Sequence, residues 1–201
     1  MPKSAQQCKE IREETKNRIL RLSALYFARN GFGNTKISDL SKYIGIGQGT
    51  IYLYYQSKED LFNEIRNRLN NDVEVDHIKK LSLLPIPAKK KIELLVEHIL
   101  RSFEEDELFA AKVTINTQFI MEGEQYDYAK TIYEGELYKY TAKIIKSGQK
   151  EGTIIKKDAI MLADLFWSVV YVYALKSQYS KNYKMIEVSE LKRLLLIGKE
   201  N

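Results

Sequence analysis

The sequence predicts an all-α protein with a small basic head and a larger helical body. Apolar residues recur at three- and four-residue spacing through most of its 201 residues, which is the period of a helix packed on one side. Two short periodic segments flank a glycine turn at Gly45. The charge is also uneven. Residues 1–70 hold 12 Lys or Arg against 7 Asp or Glu, whereas residues 71–201 hold 20 of each, so the whole net charge of +5 belongs to the head. A clustered positive field attracts a polyanion, and a neutral body gives no reason to propose a membrane surface or a second nucleic-acid site. The plainer account is a solvated tail kept soluble by Lys3, Lys9, Arg12 and Lys16.

The first helix is expected to start near Lys9 to Thr15 and to run to Asn30. Ile19, Ser23, Tyr26 and Phe27 form its inward stripe, and Gly31 supplies the stop. Thr35 suits the N-cap of a second helix that buries Ile37, Leu40 and Ile44. Gly45 can take the positive φ of a sharp turn, and Gly47 to Tyr55 then forms a third helix burying Ile51 and Tyr55. Such a pair is a helix-turn-helix, whose second helix enters the major groove amino end first. Gln48, Gly49, Thr50, Tyr52 and Leu53 are the residues placed to meet DNA, with Thr35, Lys36, Gly47 and Tyr54 at the edges of the same surface.

At these residues the chain resembles the TetR family of bacterial one-component transcriptional regulators. Ile19, Leu20, Ala24 and Phe27 lead to Gly31-Phe32, Thr35, Ile37, Asp39-Leu40, Gly45, Gly49, Ile51-Tyr52, Tyr55, Ser57-Lys58-Glu59 and Leu61-Phe62 at that family's spacing without a gap. The resemblance covers roughly residues 15–65, and beyond them only a succession of helices of suitable length. Many relatives carry serine and lysine where this chain has Gly47 and Gln48, and no lysine or arginine lies between Lys42 and Lys58. Affinity must then come from the flanks and from base edges. Gln48 can pair with adenine, and the Thr50 methyl or Leu53 can touch a thymine methyl, which favours an A·T-containing half-site. Gly49 costs about 1 kcal/mol against alanine in a helix, and close approach to the DNA backbone is its functional explanation. Tyr52 reaches a phosphate or wedges between helices.

Ser57 is the N-cap candidate of the next helix, where Glu59 and Asp60 suit the helix dipole and Lys58 does not. An outside anion would reconcile them, and the resemblance implies a DNA-backbone contact at Lys58. This connecting helix runs from about residue 58 through Leu61, Phe62, Ile65 and Leu69 to Asn71. Residues 1–71 are therefore expected to form the DNA-binding domain, and residues 72–201 an effector-binding and dimerisation domain.

Residues 72–91, with Pro85 and Pro87, read as the clearest boundary, and the helix restarts near Pro87 or Ala88. The cluster Lys89 to Lys91 reads as a solvated helix start. Helices are expected over about 88–103, 106–121 and 125–150, the last ended by Gly148 and Gly152, then over 158–177 and 186–197.

His77 and His98 are the only histidines and lie far apart, so neither supports a zinc or iron site from the sequence, and the acidic run Glu104 to Glu107 reads as a solvated turn. No nucleophile constellation or glycine-rich phosphate loop suggests an enzyme or a bound cofactor. The single Cys8, the polar start and the lack of a run of about 20 apolar residues point to the cytoplasm.

Aromatic residues line the body: Phe103, Phe109, Phe119, Tyr126, Tyr133, Phe166, Trp167 and Tyr171, on the helices that in TetR-like proteins enclose a ligand cavity. Aromatics at helical spacing are usually core. With Asn116, Gln118 and Glu122 nearby, they could nonetheless hold a small molecule. Ile160, Leu162, Leu165, Phe166, Val169, Val170, Val172 and Tyr173 wrap most of their helix in apolar surface, and Leu191, Leu194, Leu195 and Ile197 add a second stripe. Pairing both with their copies would make the four-helix dimer interface that the resemblance implies; burial within one chain is the alternative. The expectation is a homodimeric repressor that reads a palindromic operator in successive major grooves about 34–36 Å apart and is released by a small-molecule effector. A transcriptional activator or ligand-independent DNA-binding protein shares the head. A helical interaction protein would bind no duplex.

Overall fold

A computed structural model describes residues 4–69, 73–122, 135–180 and 182–198. Among them are ten α-helices and a single isolated bridge, between Ile154 and Leu196. Two compact units result, Met1–Asn71 with Ala111–Gln118, and Asp72–Ala110 with Phe119–Asn201.

In the head, α1 spans Ala5–Asn30 and starts earlier than expected. The Ser4 hydroxyl accepts from the Gln7 amide at 3.2 Å, and the Gln7 side chain accepts from the Ser4 amide at 3.0 Å. This reciprocal capping box satisfies two amides that the helix leaves unpaired. Gly31, at φ 75°, ends the helix as expected, its amide donating to the Phe27 carbonyl at 2.8 Å. Ile19, Ser23 and Phe27 are buried, and α1 packs on α2 (Ile37–Ile44) and α4 (Lys58–Leu69). Phe27 meets Phe62 edge-on at 5.3 Å, and Phe32 lies 4.4 Å from Phe62. Such ring pairs add about 0.5–1.5 kcal/mol each beyond the area they bury.

Thr35 is not an N-cap. Its hydroxyl turns inward and donates to the Gly31 carbonyl at 2.7 Å, and the α2 cap is Lys36, whose side chain makes no capping bond. The helix keeps its place because Leu40 and Ile44 are buried against α1. The next helix, α3, covers only Gln48–Tyr52 rather than reaching Tyr55. The amides of Tyr54 and Tyr55 both donate to the Ile51 carbonyl at 3.0 Å, tightening the chain into a turn that still buries Tyr55. Ser57 caps α4 as expected, accepting from the Asp60 amide at 3.0 Å.

In the body, a further helix, α5 (Val73–Leu83), lies where the sequence suggested only a boundary. Its buried residues Ile78 and Leu81 sit among charged neighbours that dilute the periodic signal. Residues 84–87 turn the chain into α6 (Ala88–Glu105), where the Ala88 amide donates to the Glu151 carboxylate at 2.8 Å. Lys91 is buried rather than solvated, and its ammonium donates to the Ser82 carbonyl at 2.8 Å. The turn also undoes the sequence separation of His77 and His98, whose ring centroids lie 4.0 Å apart. Glu107–Glu122 forms α7, and the expected helix over 125–150 is described from Glu136 to Lys150 as α8.

Gly148 does not end α8. It lies inside the helix, where a Cβ would sit 2.5 Å from Ile154 Cδ1 and 3.1 Å from Ala88 Cβ, so the glycine serves close packing. The helix α8 packs on α5, α6 and α9 (Ala159–Tyr179), whose N-cap Asp158 accepts from the Met161 amide at 2.9 Å. The last helix, α10, covers only Val188–Arg193. The chain then pairs back, Ile155 donating to the Leu195 carbonyl and Ile197 to that of Thr153, each at 3.1 Å.

Candidate nucleic-acid interface

The reading surface is set by what lies behind it. Gly45 takes the left-handed conformation (φ 75°, ψ 39°), and its amide and that of Ile46 close the end of α2 on the Ser41 carbonyl, each at 3.0 Å. An L residue there would cost roughly 1–2 kcal/mol. From α1, the Arg18 guanidinium donates to the Ile44 carbonyl at 2.7 Å, clamping the last turn of α2 just before this bend. Arg18 thereby helps set the direction in which α3 leaves. The sequence offered no signal for it, because its partner is a main-chain oxygen 26 residues away.

On α3, Ile51 is buried while Gln48, Gly49 and Tyr52, with Leu53 at the C-cap, face outward. Leu53 is 76% exposed and Tyr52 54%. Gly47 is exposed at the cap, and Thr50 and Tyr54 are half-buried, with the Arg12 guanidinium 5.8 Å from the Tyr54 ring centroid. On α2, Tyr43 is also 42% exposed, its ring 5.1 Å from that of Tyr26. It went unnoticed because its place in α2 reads as ordinary amphipathic filler. Lys36 and Lys42 are exposed on α2; Lys42 is 3.7 Å from Asp39, a solvent-screened pair.

Two expected contacts point elsewhere. Thr35 is buried, its hydroxyl spent on Gly31. The Lys58 ammonium donates to the carbonyl oxygens of Phe32, at 2.8 Å, and Thr35, at 3.0 Å. The anion invoked to reconcile this lysine with the start of α4 is thus replaced by two carbonyls of the α1–α2 connection, and Lys58 ties that connection to α4.

The body's expected ligand residues divide similarly. Phe103 and Phe109 stack edge-on at 4.9 Å, and Phe166 and Trp167 at 5.3 Å. Phe166 is fully buried, and the Trp167 indole donates to the Thr141 hydroxyl at 3.0 Å, so this pair fills space as core. The side chains of Asn116, Phe119, Tyr126 and Tyr133 lie outside the described residues. An open groove of about 470 Å³ lies along α8 instead, between Lys139, Lys143, Lys146 and Lys150 and the start of α9 at Ile160.

Several expected interface residues are corrected too. Leu162, Phe166, Val170, Leu191 and Leu195 are buried within the chain's own body, where α9 packs on α8 and α10 on α6. Val169, Tyr173 and Leu194 are half-buried. The large apolar and aromatic residues that α9 leaves in water are Met161, Leu165, Val172 and Tyr179. This helix is long and apolar enough to cross a bilayer, with a mean hydropathy of 1.5 in its most apolar stretch, yet Asp164 interrupts it and its other face is core.

A glycine-turned helix pair, braced from α1 and presenting an uncovered short helix, defines a helix-turn-helix DNA-binding domain. Residues 19–65 match the family model for bacterial regulatory proteins of the tetR family, in the same stretch where the sequence resembles that family. An HTH-type transcriptional regulator of Bacillus subtilis is 30% identical over 96 residues, 46% of this chain and 49% of that relative, so the chain spans about half its length. An HTH-type transcriptional repressor of Streptomyces coelicolor is 25% identical over 189 residues, 92% of this chain and 85% of its own. The fold also resembles a transcriptional regulator from Saccharomonospora viridis in complex with choline, with a TM-score of 0.59 and 22% identity, covering 92% of this chain and all of that one.

Proposed function

We propose that the protein is a ligand-responsive transcriptional repressor that binds a palindromic operator as a homodimer. The observation that carries this reading is the outward face of α3, where Gln48, Tyr52 and Leu53 stand exposed although Leu53 and Tyr52 would gain by burial. An uncovered apolar surface of this kind, rimmed by polar groups, marks an interaction site. Gln48 reads an adenine edge, Leu53 and the Thr50 methyl touch thymine methyls, and Gly47 and Gly49 let the backbone come close. Lys36, Lys42 and Arg12 supply the phosphate attraction that α3 lacks.

The dimer forms through the exposed stripe of α9, Met161, Leu165 and Val172, with the half-buried Val169 and Tyr173 at its edge. Two reading heads then meet a two-fold operator. An effector in the body weakens DNA binding only by preferring a conformation with another head spacing, so the coupling equals its differential affinity for the two states. The similarity to a regulator solved with choline supports a small-molecule site in the body. The protein performs no catalysis and works in the cytoplasm, where its operator is.

Selection from a random duplex pool with the purified protein at near-physiological salt tests this reading. A palindromic consensus is the expected result; a folded, dimeric protein that enriches no sequence would overturn it.

A further inference from the structure

We propose that Glu74, His77 and His98 form a binding site for a divalent transition cation of the zinc, cobalt and nickel class. One carboxylate oxygen and one nitrogen from each imidazole lie within 4.8 Å of one another, all in the second unit. Glu74 and His77 are three residues apart on α5, which puts them on the same face, and His98 comes from α6.

The simpler account is a hydrogen bond between helices, and it covers only part of the geometry. His98 Nε2 and Glu74 Oε2 are 3.2 Å apart, which satisfies that pair. It leaves His77 Nδ1 buried with no hydrogen-bond partner, although its ring packs against that of His98, tilted by 54°. A buried ring nitrogen without a partner is costly, whereas in the tautomer that leaves it unprotonated its lone pair can face a cation.

The dimensions suit such an ion. Metal–ligand bonds of about 2.0–2.1 Å in a tetrahedron place neighbouring ligand atoms roughly 3.4 Å apart. The Glu74–His98 distance, 3.2 Å, is already there, and a separation at the 4.8 Å limit closes by about 1.4 Å through rotamer adjustment. Two imidazoles and one carboxylate favour zinc, cobalt or nickel over magnesium or calcium, which take oxygen ligands. With three protein ligands, a fourth position is left for water or an anionic group. The site also rests on firm elements, since the buried Lys91 of α6 ties off the end of α5 at the Ser82 carbonyl.

This inference is independent of DNA binding and is tested on the untagged full chain. After treatment with a chelator and dialysis, the protein is titrated with Co²⁺, followed by its visible absorption and by calorimetry, and then with Zn²⁺ in competition. One Co²⁺ per chain is expected, with the intense absorption of a four- or five-coordinate ion, displaced by one Zn²⁺. Glu74→Gln, His77→Ala and His98→Ala should each weaken uptake by more than the roughly 10–100-fold that outer-shell substitutions cost. Circular dichroism identifies any variant that fails to fold, and Glu74→Gln, at a half-buried position, then decides. Absence of saturable uptake by the wild-type chain, or uptake unchanged in folded Glu74→Gln, overturns the proposal.

Discussion

The Lys58 ammonium donates to the Phe32 carbonyl at 2.8 Å and also lies 4.3 Å from the centroid of the Phe32 ring. One side chain thus fixes both the backbone and the ring of the α1–α2 connection. Charged hydrogen bonds of this kind contribute about 1.5–3 kcal/mol each, and Lys58 makes a second one to the Thr35 carbonyl, so Lys58→Met should lower the unfolding free energy by at least one such contribution. The slope of log affinity against log salt should stay unchanged. A stable variant whose salt slope falls by about 1 would instead identify Lys58 as a phosphate contact. Denaturant unfolding and DNA titration at several salt concentrations separate the two.

Gly148 is predicted to tolerate no side chain. A Cβ there would meet Ile154 Cδ1 at 2.5 Å and Cγ1 at 2.6 Å, and Ala88 Cβ at 3.1 Å. Ile154 is fully buried and stiff at χ1, and Ala88 moves only with its backbone. Gly148→Ala should therefore cost about 1–3 kcal/mol, the usual cost of overpacking. Combined with Ile154→Ala it should cost less than the two single changes added, because the obstructing atoms are gone. Additive losses in thermal unfolding would contradict the packing account.

Tyr55 gives the head a pH signature. Its hydroxyl is buried without a hydrogen-bond partner, and burial first, with the nearby Glu64 next, raises its pKa well above the ordinary value of 10.0. The unfolded chain therefore releases this proton more readily than the folded one. Stability from Tyr55 is fully present below about pH 10 and is lost as pH rises beyond it. Tyr55→Phe should remove that alkaline component and leave stability at pH 7 unchanged or improved, since no hydrogen bond is broken. Unfolding curves between pH 7 and 11 check both statements; an unaltered alkaline loss in Tyr55→Phe would count against them.

These cases show which parts of the chain were readable from sequence. Ile19, Leu40, Ile44 and Ile51 gave themselves away because a helix-turn-helix repeats its apolar spacing locally, and Gly45 because its turn demands positive φ. What depended on distant partners was not readable. Thr35 has the right chemistry for a cap, but its direction is decided by Gly31, and Lys58 is decided by a loop 23–26 residues earlier. Gly148 looked like a stop because Ile154 cannot be placed from spacing alone. His77 and His98 meet only because residues 84–87 fold α5 against α6. On α9, apolar residues on nearly every side erase the periodicity that would have separated the buried Leu162 and Phe166 from the exposed Leu165.

The last distinction predicts how two positions about one turn apart on α9 behave. Leu165 is 46% exposed in the single chain, while Leu162 packs inside the body. Leu165→Glu should keep its helix content and thermal unfolding, yet sediment as a monomer. Leu162→Glu should unfold the body instead, because it places an unpaired charge in the core. Sedimentation velocity beside circular dichroism distinguishes them, and a Leu165→Glu protein that stays dimeric would remove α9 from the proposed interface.

Gly49 separates stability from DNA binding most cleanly. It lies within α3, its φ is not positive, and a Cβ built on it meets nothing within 4 Å. Nothing inside the described protein requires glycine there, although glycine costs a helix about 0.5–1 kcal/mol against alanine. Gly49→Ala should thus stabilise the head by up to that amount. If α3 enters the major groove amino end first, the added methyl lies where the backbone of α3 nears the duplex, and binding to the selected operator should weaken at least about tenfold, or about 1.4 kcal/mol. Gln48→Ala should do something different, relaxing preference at one base pair by about 1–3 kcal/mol while leaving non-specific binding intact. A Gly49→Ala protein that is more stable and binds its operator undiminished would mean that the glycine serves no close approach, and that α3 meets DNA through another face.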